Sequence, residues 1–526
     1  MPGVVTEHFR LNNAEHFLNA LSESNVLLNR YYIFIGHPQP FSVDNNPPSP
    51  NNSYASSEYD PWRDMVAMKR VQASDASYIT RRINWSNNTF YTQYSDRTAN
   101  LANTNYYVLQ TDDYYVYKCI DNNRGANSTV KPTGKGSGAN YFIGPLADGY
   151  RWKYMFAISE ADRNKFMTLD WMPVKQIDSD DSSEQWAIQQ AAANGAIHHI
   201  QVTANGSGYT YNTGNVVSVN STGLIVSSTA SANDSYYNEM AVFISAGLGS
   251  GQVRRITAYN GVNKFATVNT AFTTTPNTQS QYIISPRVVI KGDSGQTAAS
   301  RATAYVSNTA GGQIRKITMI SEGLNYSRAN AMIIGAHGTG ATVLPIISPP
   351  AGHGSDPSHE LFAYNVVLNT QFIGAEGNTL FTNNDFRAVG LVVDPHLRSG
   401  PRANASLIDQ CTRLTLSNVS GDFTADELIT GDTNGATAIV TRFSNTNASG
   451  TKGILRVIDV KSVGTGKFFD VGGTVTGANS GVTGVISAVA KPAVREYTGR
   501  ILYYEYRQPI DRAADQTENI KFIAKF

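Results

Sequence analysis

Two pairs of internal repeats constrain the fold of this chain more than any other feature of its sequence. In the first pair, five residues of segment 195–209 recur in segment 312–326 without a gap, at an offset of 117 positions (Ile197 to Ile314). The shared residues are Gly195, Ile197, Ile200, Gly206 and Tyr209 in one copy, and Gly312, Ile314, Ile317, Gly323 and Tyr326 in the other. Each copy is typical of a strand beside a glycine-rich turn that a tyrosine closes.

The second pair lies nearer the C-terminus, in segments 423–440 and 469–486, at an offset of 46 positions (Phe423 to Phe469). Its shared residues are Phe423, Thr430, Gly431, Gly435 and Thr437, matched by Phe469, Thr476, Gly477, Gly481 and Thr483. The unit has the pattern strand, Gly-Asn turn, strand. Two copies of each type fall short of the three or more that a solenoid needs, so the repeats predict small β-modules.

The composition supports a β-rich protein and argues against several functions. Charged residues are 16% of the 526 residues, against about 25% in a typical soluble protein. Glycine and tyrosine are abundant, with 44 and 28 copies, and such chains suit strands joined by tight turns. The formal net charge is +1 without a basic tract, which argues against a nucleic-acid partner.

Compartment and membrane signals point to synthesis in a cytosol. The first residues, MPGVVTEHFRLNN, have charged side chains where a secretory signal needs its apolar region. The longest apolar stretch, AMIIGAHGTGATVLPII, is interrupted by His337 and three glycines, so we expect no membrane span. The two cysteines, Cys119 and Cys411, are too few for a disulfide framework or a zinc site.

Changes in amino-acid composition along the chain predict its domain organisation. The expected fold class is mainly β (α+β with few helices) and multidomain, with a β-sandwich-like body and β-rich insertions that carry the internal repeats. The predicted ranges are an N-terminal body (1–190), inserted β-modules (191–350), a return to the body (351–410), a second inserted module (411–492) and C-terminal body strands (493–526).

Three local elements stand out within this plan. AEHFLNALSE predicts a helix capped by Asn12 or Asn13, with Phe17, Leu18 and Leu21 on its apolar stripe. YYVLQTDDYYVYKCID predicts a hairpin. The final NIKFIAKF alternates, which predicts a half-buried strand with Ile520, Phe522, Ala524 and Phe526 on one face and Lys521 and Lys525 on the other.

Nucleotide and hydrolase motifs are absent from the sequence. VGTGKF (463–468) has Gly-Lys, but Lys461 stands where a P-loop needs glycine and Phe468 where it needs Ser or Thr. The chain has neither a G-x-S-x-G elbow that opens a helix nor an H-E-x-x-H helix. We therefore expect no enzyme, no cofactor and no small-molecule substrate.

The stretch PPAGHGSDPSHELFAY (349–364) most resembles a reactive site. His353, Asp356, His359 and Glu360 fall within eight residues, and first-row metals accept mixed imidazole and carboxylate ligands. Five Gly and Pro residues argue against a regular element, and no other Cys/His cluster supplies a fourth ligand. The favoured interpretation is a boundary loop whose Asp and His bond to the backbone, without a catalytic or metal role.

Six segments of the predicted body, taken in order, resemble one known family. They are DPWRDM (60–65), ITRRINW (79–85), YYVYKCID (114–121), DGYRWKYMFAI (148–158), DFRAVGLVVDP (385–395) and YRQPIDRAADQTENIKFIAKF (506–526). Together they are similar to the baseplate wedge protein family (gene product eight) of T-even-type contractile-tailed bacteriophages. The residues that carry the resemblance are Trp62, Arg81, Arg82, Asp148, Gly149, Tyr150, Trp152, Pro509, Asp515 and Gln516. The resemblance covers about half of the chain and leaves out both repeat-bearing insertions.

The resemblance implies a non-enzymatic structural protein of the virion. Such a protein would be assembled in the host cytoplasm, pair as a homodimer within each baseplate wedge, bridge other wedge proteins and help to transmit the rearrangement that triggers sheath contraction. Low charge and abundant tyrosine agree with large permanent interfaces, where aromatic residues are enriched and Lys and Glu depleted. The alternative is a carbohydrate-binding or glycan-degrading tail protein, but none of the five tryptophans lies in the repeats.

Overall fold

The chain folds into several β-sheets with few helices. The structure is a computed structural model that describes residues 5–22, 29–136, 140–293, 297, 300–335, 337–376, 380–382, 384–461 and 468–526. It is 10% helical and 44% strand, so the predicted mainly β, multidomain class is confirmed. Among the described helices, none has the length and apolar character needed to cross a bilayer. Most of VGTGKF lies outside the described residues.

The helices are short, and most strands have fewer than ten residues. The α-helices are α1 (Glu7–Ser22), α2 (Tyr54–Asp64), α3 (Glu160–Phe166), α4 (Glu184–Gln190) and α5 (Pro357–Glu360), and two 3-10 turns cover Ala73–Asp75 and Leu101–Asn103. The strands in the first 200 residues are β1 (Tyr31–Gly36), β2 (Met65–Arg70), β3 (Ala76–Arg81), β4 (Thr89–Phe90), β5 (Tyr107–Gln110), β6 (Tyr115–Asp121), β7 (Asn127–Ser128), β8 (Phe142–Ile143), β9 (Arg151–Ala157), β10 (Trp171–Pro173) and β11 (Ile197–Ser207).

The middle strands are β12 (Asn212–Asn215), β13 (Ser218–Asn220), β14 (Gly223–Ile225), β15 (Ala241–Ala246), β16 (Val253–Asn260), β17 (Phe265–Val268), β18 (Gln281–Ser285), β19 (Arg287–Gly292), β20 (Thr303–Ala310), β21 (Gln313–Ser321), β22 (Ala329–Ile334) and β23 (Thr339–Ile347). The later strands are β24 (Asn365–Ile373), β25 (Asn384–Val393), β26 (Leu407–Asp409), β27 (Thr412–Ser417), β28 (Leu428–Gly431), β29 (Thr437–Asn445), β30 (Lys452–Lys461), β31 (Thr474–Gly477), β32 (Thr483–Ala490), β33 (Arg500–Arg512) and β34 (Thr517–Lys525).

The chain divides into two compact units whose boundaries differ from the five predicted ranges. The first unit comprises Met1–Ile79, Asn164–Phe166 and Tyr364–Phe526, and the second comprises Thr80–Arg163 and Met167–Ala363. The predicted ranges 1–190 and 351–410 are therefore each split between the units. The range 191–350 lies within the second unit, and both 411–492 and 493–526 lie within the first.

The first unit contains two antiparallel sheets with a shared core. One sheet has the order β26-β2-β1-β25-β33, and strands β3, β24 and β34 are consecutive in the other. Ile33 and Ile35 of β1 and Val366 and Leu368 of β24 are fully buried in the same apolar cluster. Because successive side chains of a strand point to opposite faces, Phe34 lies in a second core that also holds Trp62 of α2.

Helix α1 begins earlier than the sequence predicts. It starts at Glu7, not after Asn12 or Asn13, and the Thr6 hydroxyl accepts the Phe9 N–H at 3.3 Å. Leu11 is buried and lies seven residues, about two helical turns, before Leu18 of the predicted stripe, so the apolar stripe extends further back along the helix. The predicted stripe of Phe17, Leu18 and Leu21 does pack against the core, half-buried.

The C-terminal hairpin supplies the last strand of each sheet. β34 pairs with β24 without a break from Asn365↔Lys525 to Ile373↔Thr517, so the predicted terminal strand is confirmed. β33 and β34 both end their sheets, and the described strands include no partner for their outer edges. Between them the core opens into a cleft of about 720 Å³ lined by Phe17, Leu502, Ile520, Phe522 and Phe526, among others. The apolar face of β34 is thus half-buried, not fully covered.

The second repeat pair builds a single closed barrel. Strands β27-β30-β29-β28-β31-β32 form the ring, which β27–β32 pairing closes. Thr430 lies opposite Thr476, its own repeat counterpart, so a local two-fold relates the copies. Phe423 and Phe469, also counterparts, are both buried in the barrel core. The two copies therefore complete one core together and are not separate modules.

The two copies of the first repeat pair also make reciprocal contacts with each other, and both lie in the second unit. The Tyr209 N–H donates to the Gly312 carbonyl at 2.9 Å, and the Tyr326 N–H donates to the Gly195 carbonyl at 3.1 Å. Each tyrosine hydroxyl accepts a further backbone N–H, from Ala341 for Tyr209 and from Ala302 for Tyr326. All the shared isoleucines and both tyrosines belong to one apolar cluster.

A four-stranded sheet, β5-β6-β9-β8, carries the candidate site of the second unit. The β5–β6 pair is the predicted hairpin, with Gln110 opposite Tyr115. Tyr117 and Cys119 of β6 and Trp152 and Tyr154 of β9 are buried in one cluster on one face of this sheet. The alternating positions, which include Lys118 and Lys153, therefore face the other way.

Candidate functional site

The segment 349–363 is a folded loop with one short helix, and it separates the two histidines predicted as a possible pair of ligands. Asp356 caps α5 by accepting the His359 N–H at 3.0 Å, and the His359 ring pairs with the Asp356 carboxylate at 2.6 Å near the surface. The His353 side chain is 2% exposed and lies beside Glu360 instead. Among the described residues, no group of three or more His, Cys, Asp or Glu side chains is arranged to hold a metal ion.

Glu360 is the anionic centre of a buried cluster. Its Oε2 lies 2.6 Å from Lys118 Nζ, and both side chains are at most 3% exposed. Its Oε1 accepts the backbone N–H of Gly354 at 2.6 Å. Tyr106 fixes the backbone of the same residue by donating its hydroxyl to the Glu360 carbonyl at 2.6 Å. Both carboxyl oxygens are therefore held by donors inside the protein.

Two lysines meet on the sheet beneath this carboxylate. Lys118 of β6 lies directly opposite Lys153 of β9, and both residues have 0% exposure. Like charges directly opposite on neighbouring strands destabilise a sheet. Lys118 lies 4.0 Å from the centre of the Tyr94 ring, and Lys153 donates to the Asn140 carbonyl at 2.7 Å.

Burial lowers the pKa values of the two lysines and of His353. It lowers the pKa of Lys153 to about 8, against the opposing effect of Glu360. The pKa of Lys118 is also lowered by burial, which outweighs its attraction to Glu360. Burial, followed by the nearby Lys118 charge, holds the pKa of His353 well below its ordinary value. The cluster therefore favours a neutral imidazole and makes the neutral form of each amine more accessible than in water.

A second ion-pair group flanks the first. His198 Nδ1 and an Arg151 nitrogen each lie 2.9 Å from Glu322 Oε1. Although burial acts to raise the pKa of Glu322, His198 and Arg151 together lower it to about 2. Arg151, His198 and Glu322 line a cavity of about 460 Å³. The His198 and His353 rings lie 5.2 Å apart, centre to centre.

His353 has an unused polar atom. Among the residues that the structure describes, its buried Nδ1 has no hydrogen-bond partner, and it lies 3.6 Å from Glu360 Oε2. Its ring meets the Tyr94 ring edge-on at 4.7 Å. A buried polar atom without a partner is unfavourable, so this imidazole requires an explanation beyond packing.

Taken together, these residues bring an amine, a carboxyl group, an imidazole and a backbone donor into contact inside the protein. An ion pair of this kind can hold the 352–363 loop on the sheet. The same groups can also transfer a proton between Glu360 and a neighbour, because neutral imidazole both accepts and donates protons.

One of the two most specific signals of the resemblance, the run that begins at Asp148, forms a structural turn in the same unit. Asp148 Oδ2 accepts N–H groups from Thr129 and Val130 at 2.9 and 3.0 Å. Gly149 has φ +86°, and a Cβ there would lie 2.6 Å from the Asn123 side chain. Tyr150 and Trp152 are fully buried and stack with ring centres 5.4 Å apart. These four residues thus shape one turn and the core beneath it.

The other predicted signature residues are spread over the two units and do not converge. Trp62 is 4% exposed within the first unit. Arg81 donates to the carbonyls of Ala102 and Thr104, and Arg82 donates to Asn84 Oδ1 and the Thr168 carbonyl. Pro509 lies in β33. Asp515 and Gln516 form the turn before β34, where the Gln516 carbonyl accepts the Gly374 N–H at 2.9 Å.

Sequence reasoning missed the lysines and the Arg151–His198–Glu322 group. A signal for the lysines was present, since Lys118 and Lys153 each interrupt an otherwise apolar run, YYVYKCID and RWKYMF. A lysine inside a strand that is buried on both faces needs an anionic partner. The partner, Glu360, lies 242 positions from Lys118 in sequence, so no local pattern connects the two.

No family model matches this chain, and no curated protein matches it either. The chemical character of the site is therefore inferred from its geometry alone. It is a buried charged cluster between a sheet and a folded loop, built around Lys118, Glu360 and His353.

Proposed function

We propose that this chain is a structural component of a contractile phage tail baseplate wedge, where it bridges other wedge proteins and helps to transmit the rearrangement that triggers sheath contraction. The observation that carries the proposal is the C-terminal hairpin. It is a distinctive segment of the family resemblance, YRQPIDRAADQTENIKFIAKF, and it also holds the two edge strands and the apolar cleft between them.

An edge strand has unpaired backbone groups that can pair with another chain. β33 has 13 residues, and its Leu502 and Tyr503 side chains are 43% and 47% exposed. The groove between β33 and β34 is apolar inside and rimmed by Glu505 and Arg507. Such a groove suits a protein partner better than a small polar substrate. The proposal includes self-association as a homodimer, the state that the resemblance implies.

The proposal is tested by co-expressing the chain with the other tail structural proteins of the same virus and isolating the complexes by size. We expect the parent chain to enter a wedge complex. Leu502→Asp, which adds a charge to the cleft, should lower its incorporation at least tenfold while the chain remains soluble. Val262→Asp, at a residue that is 87% exposed in the second unit, is the matched control and should assemble normally.

Two outcomes contradict the proposal. The parent chain could stay outside every complex of tail proteins. Alternatively, the purified chain could bind or depolymerise envelope glycans, which would favour a carbohydrate-active tail protein.

A further inference from the structure

We propose that Lys118 and Glu360 condense within the folded chain to form an intramolecular isopeptide bond, with His353 as the acid–base group and the Gly354 N–H as the donor to the developing oxyanion. This inference does not depend on the proposed function. It follows from the contacts of the buried cluster in the second unit.

The two reacting groups already touch. Lys118 Nζ lies 2.6 Å from Glu360 Oε2, and neither side chain is more than 3% exposed. Groups held in contact react as though their effective concentration were on the order of 10⁵–10⁸ M. Exclusion of water from the cluster also opposes hydrolysis of the product. Burial lowers the pKa of Lys118 and so favours the neutral amine that can act as a nucleophile.

The two carboxyl oxygens of Glu360 have different surroundings, and these assign their roles. Oε1 accepts the Gly354 N–H at 2.6 Å, which is the position of a donor that stabilises negative charge during acyl transfer. Oε2 lies 3.6 Å from the unpartnered Nδ1 of His353. Oε1 therefore becomes the amide oxygen, and Oε2 is the oxygen that leaves.

The reaction balances without a cofactor or an oxidant. One proton of the Lys118 ammonium group first passes to Oε2 of Glu360, 2.6 Å away, which converts the ion pair into a neutral amine and a carboxyl group. The amine then attacks Cδ of that carboxyl group, and a C–N bond forms. His353 accepts one amine proton and passes it to Oε2, which already carries the carboxyl proton. The C–Oε2 bond then breaks, one water molecule leaves, and the second amine proton remains as the amide N–H.

The arrangement also accounts for features that an ordinary ion pair leaves unexplained. The unpartnered Nδ1 of His353 becomes the proton carrier. The conflict between two opposed buried lysines is relieved, because the amide removes the charge of Lys118. The bond would fasten the 352–363 loop covalently to β6, which suits a protein that bears mechanical load.

The test is the intact mass of the full chain under denaturing conditions, followed by tandem mass spectrometry of its proteolytic peptides. We expect a mass lower than that of the sequence by one water molecule, and one branched peptide that joins Lys118 to Glu360. Peptide mapping is required because an aspartate that closes to a succinimide loses the same mass.

Three variants probe the roles of the residues. Lys118→Arg, which cannot form the amide, should have the full sequence mass. His353→Leu should form the bond about a hundredfold more slowly or worse, as expected for loss of an acid–base group. His359→Ala changes the surface histidine of the same loop and should keep the parent's mass loss.

A parent chain with the full sequence mass would overturn the proposal, as would a mass loss without the branched peptide. Because the parent measurement needs no variant, the result stands even where Lys118→Arg fails to fold. Unchanged bond formation in His353→Leu would overturn the role given to His353.

Discussion

Lys118 and Lys153 lie directly opposite one another on neighbouring strands, and both side chains are completely buried. Only one carboxylate, that of Glu360, contacts Lys118 among the described ion pairs, at 2.6 Å. A buried cation is costly unless it is paired. The stability of the second unit should therefore depend far more on Glu360 than on Lys153.

The first prediction compares these two residues. Glu360→Ala leaves the buried Lys118 amine without its partner, whether that partner is held by the ion pair or by the proposed amide, and should destabilise the second unit by about 3–5 kcal/mol. Lys153→Met removes the buried amine opposite Lys118 at similar volume and should leave the thermal midpoint equal or higher. Thermal unfolding followed by circular dichroism measures both, with the surface variant His359→Ala as control. A fall in midpoint for Lys153→Met as large as that for Glu360→Ala would contradict this account.

The second prediction concerns pH. Burial lowers the pKa of both His198 and His353, so below about pH 6.5 the unfolded chain binds protons that the folded chain does not. The stabilisation is complete above that pH and is lost on acidification. Each histidine contributes up to about 1.4 kcal/mol per pH unit.

The thermal midpoint should thus fall as the pH decreases from about 7.5 to about 5, and His353→Gln should make that fall shallower. Glu322 does not interfere in this window, because its pKa is lowered from 4.5 to about 2 and its contribution is lost only in stronger acid. A thermal midpoint that does not change with pH over this window would count against neutral buried histidines. A pH dependence of the midpoint that is as steep in His353→Gln as in the parent chain would also count against them.

The third prediction uses the reciprocal contact between the first repeat copies. Gly195 has φ +60°, and a Cβ there would overlap the backbone of Tyr326. Gly311 has a similar φ of +59° but open space around it. Gly311→Ala should cost about 1–2 kcal/mol from its conformation alone, and Gly195→Ala should cost a further 1–3 kcal/mol or so from overlap. Urea unfolding of both variants decides this, and equal losses would show that the repeat contact is loose.

The fourth prediction concerns the barrel. The Gln410 side chain donates to the Val494 carbonyl at 3.2 Å, so a short Gly/Ser linker can replace 411–492. Ile458 of β30 is buried in the core shared by the two antiparallel sheets of the first unit, and its loss should cost about 1.5–3 kcal/mol. We expect a folded but less stable chain, with Ile458→Ala in the full chain as the matched comparison. An insoluble deletion variant would mean that the two antiparallel sheets of the first unit need the barrel in order to fold.

Structural elements whose side chains follow a short local repeat could be predicted from the sequence. The β5–β6 hairpin, the terminal strand and the strand–turn character of both repeats follow from alternation and from glycine turns. The predicted start of α1 was wrong because Leu11 extends the apolar stripe by about two helical turns and Thr6 supplies a cap.

The candidate site depends on contacts that no local pattern encodes. His353 and His359 are six positions apart, yet the fold buries one and exposes the other. The cleft that leaves the apolar face of β34 only partly covered also escaped prediction, because alternation defines which side chains share a face and not how much protein covers that face.

The central proposal is that this chain belongs to the baseplate of a contractile phage tail, and cryo-electron microscopy of contractile tails isolated from the source of this sequence tests it most directly. We expect baseplate density that fits both compact units, with another chain against the β33–β34 hairpin and its cleft. A complete baseplate map with no density for this chain would contradict it.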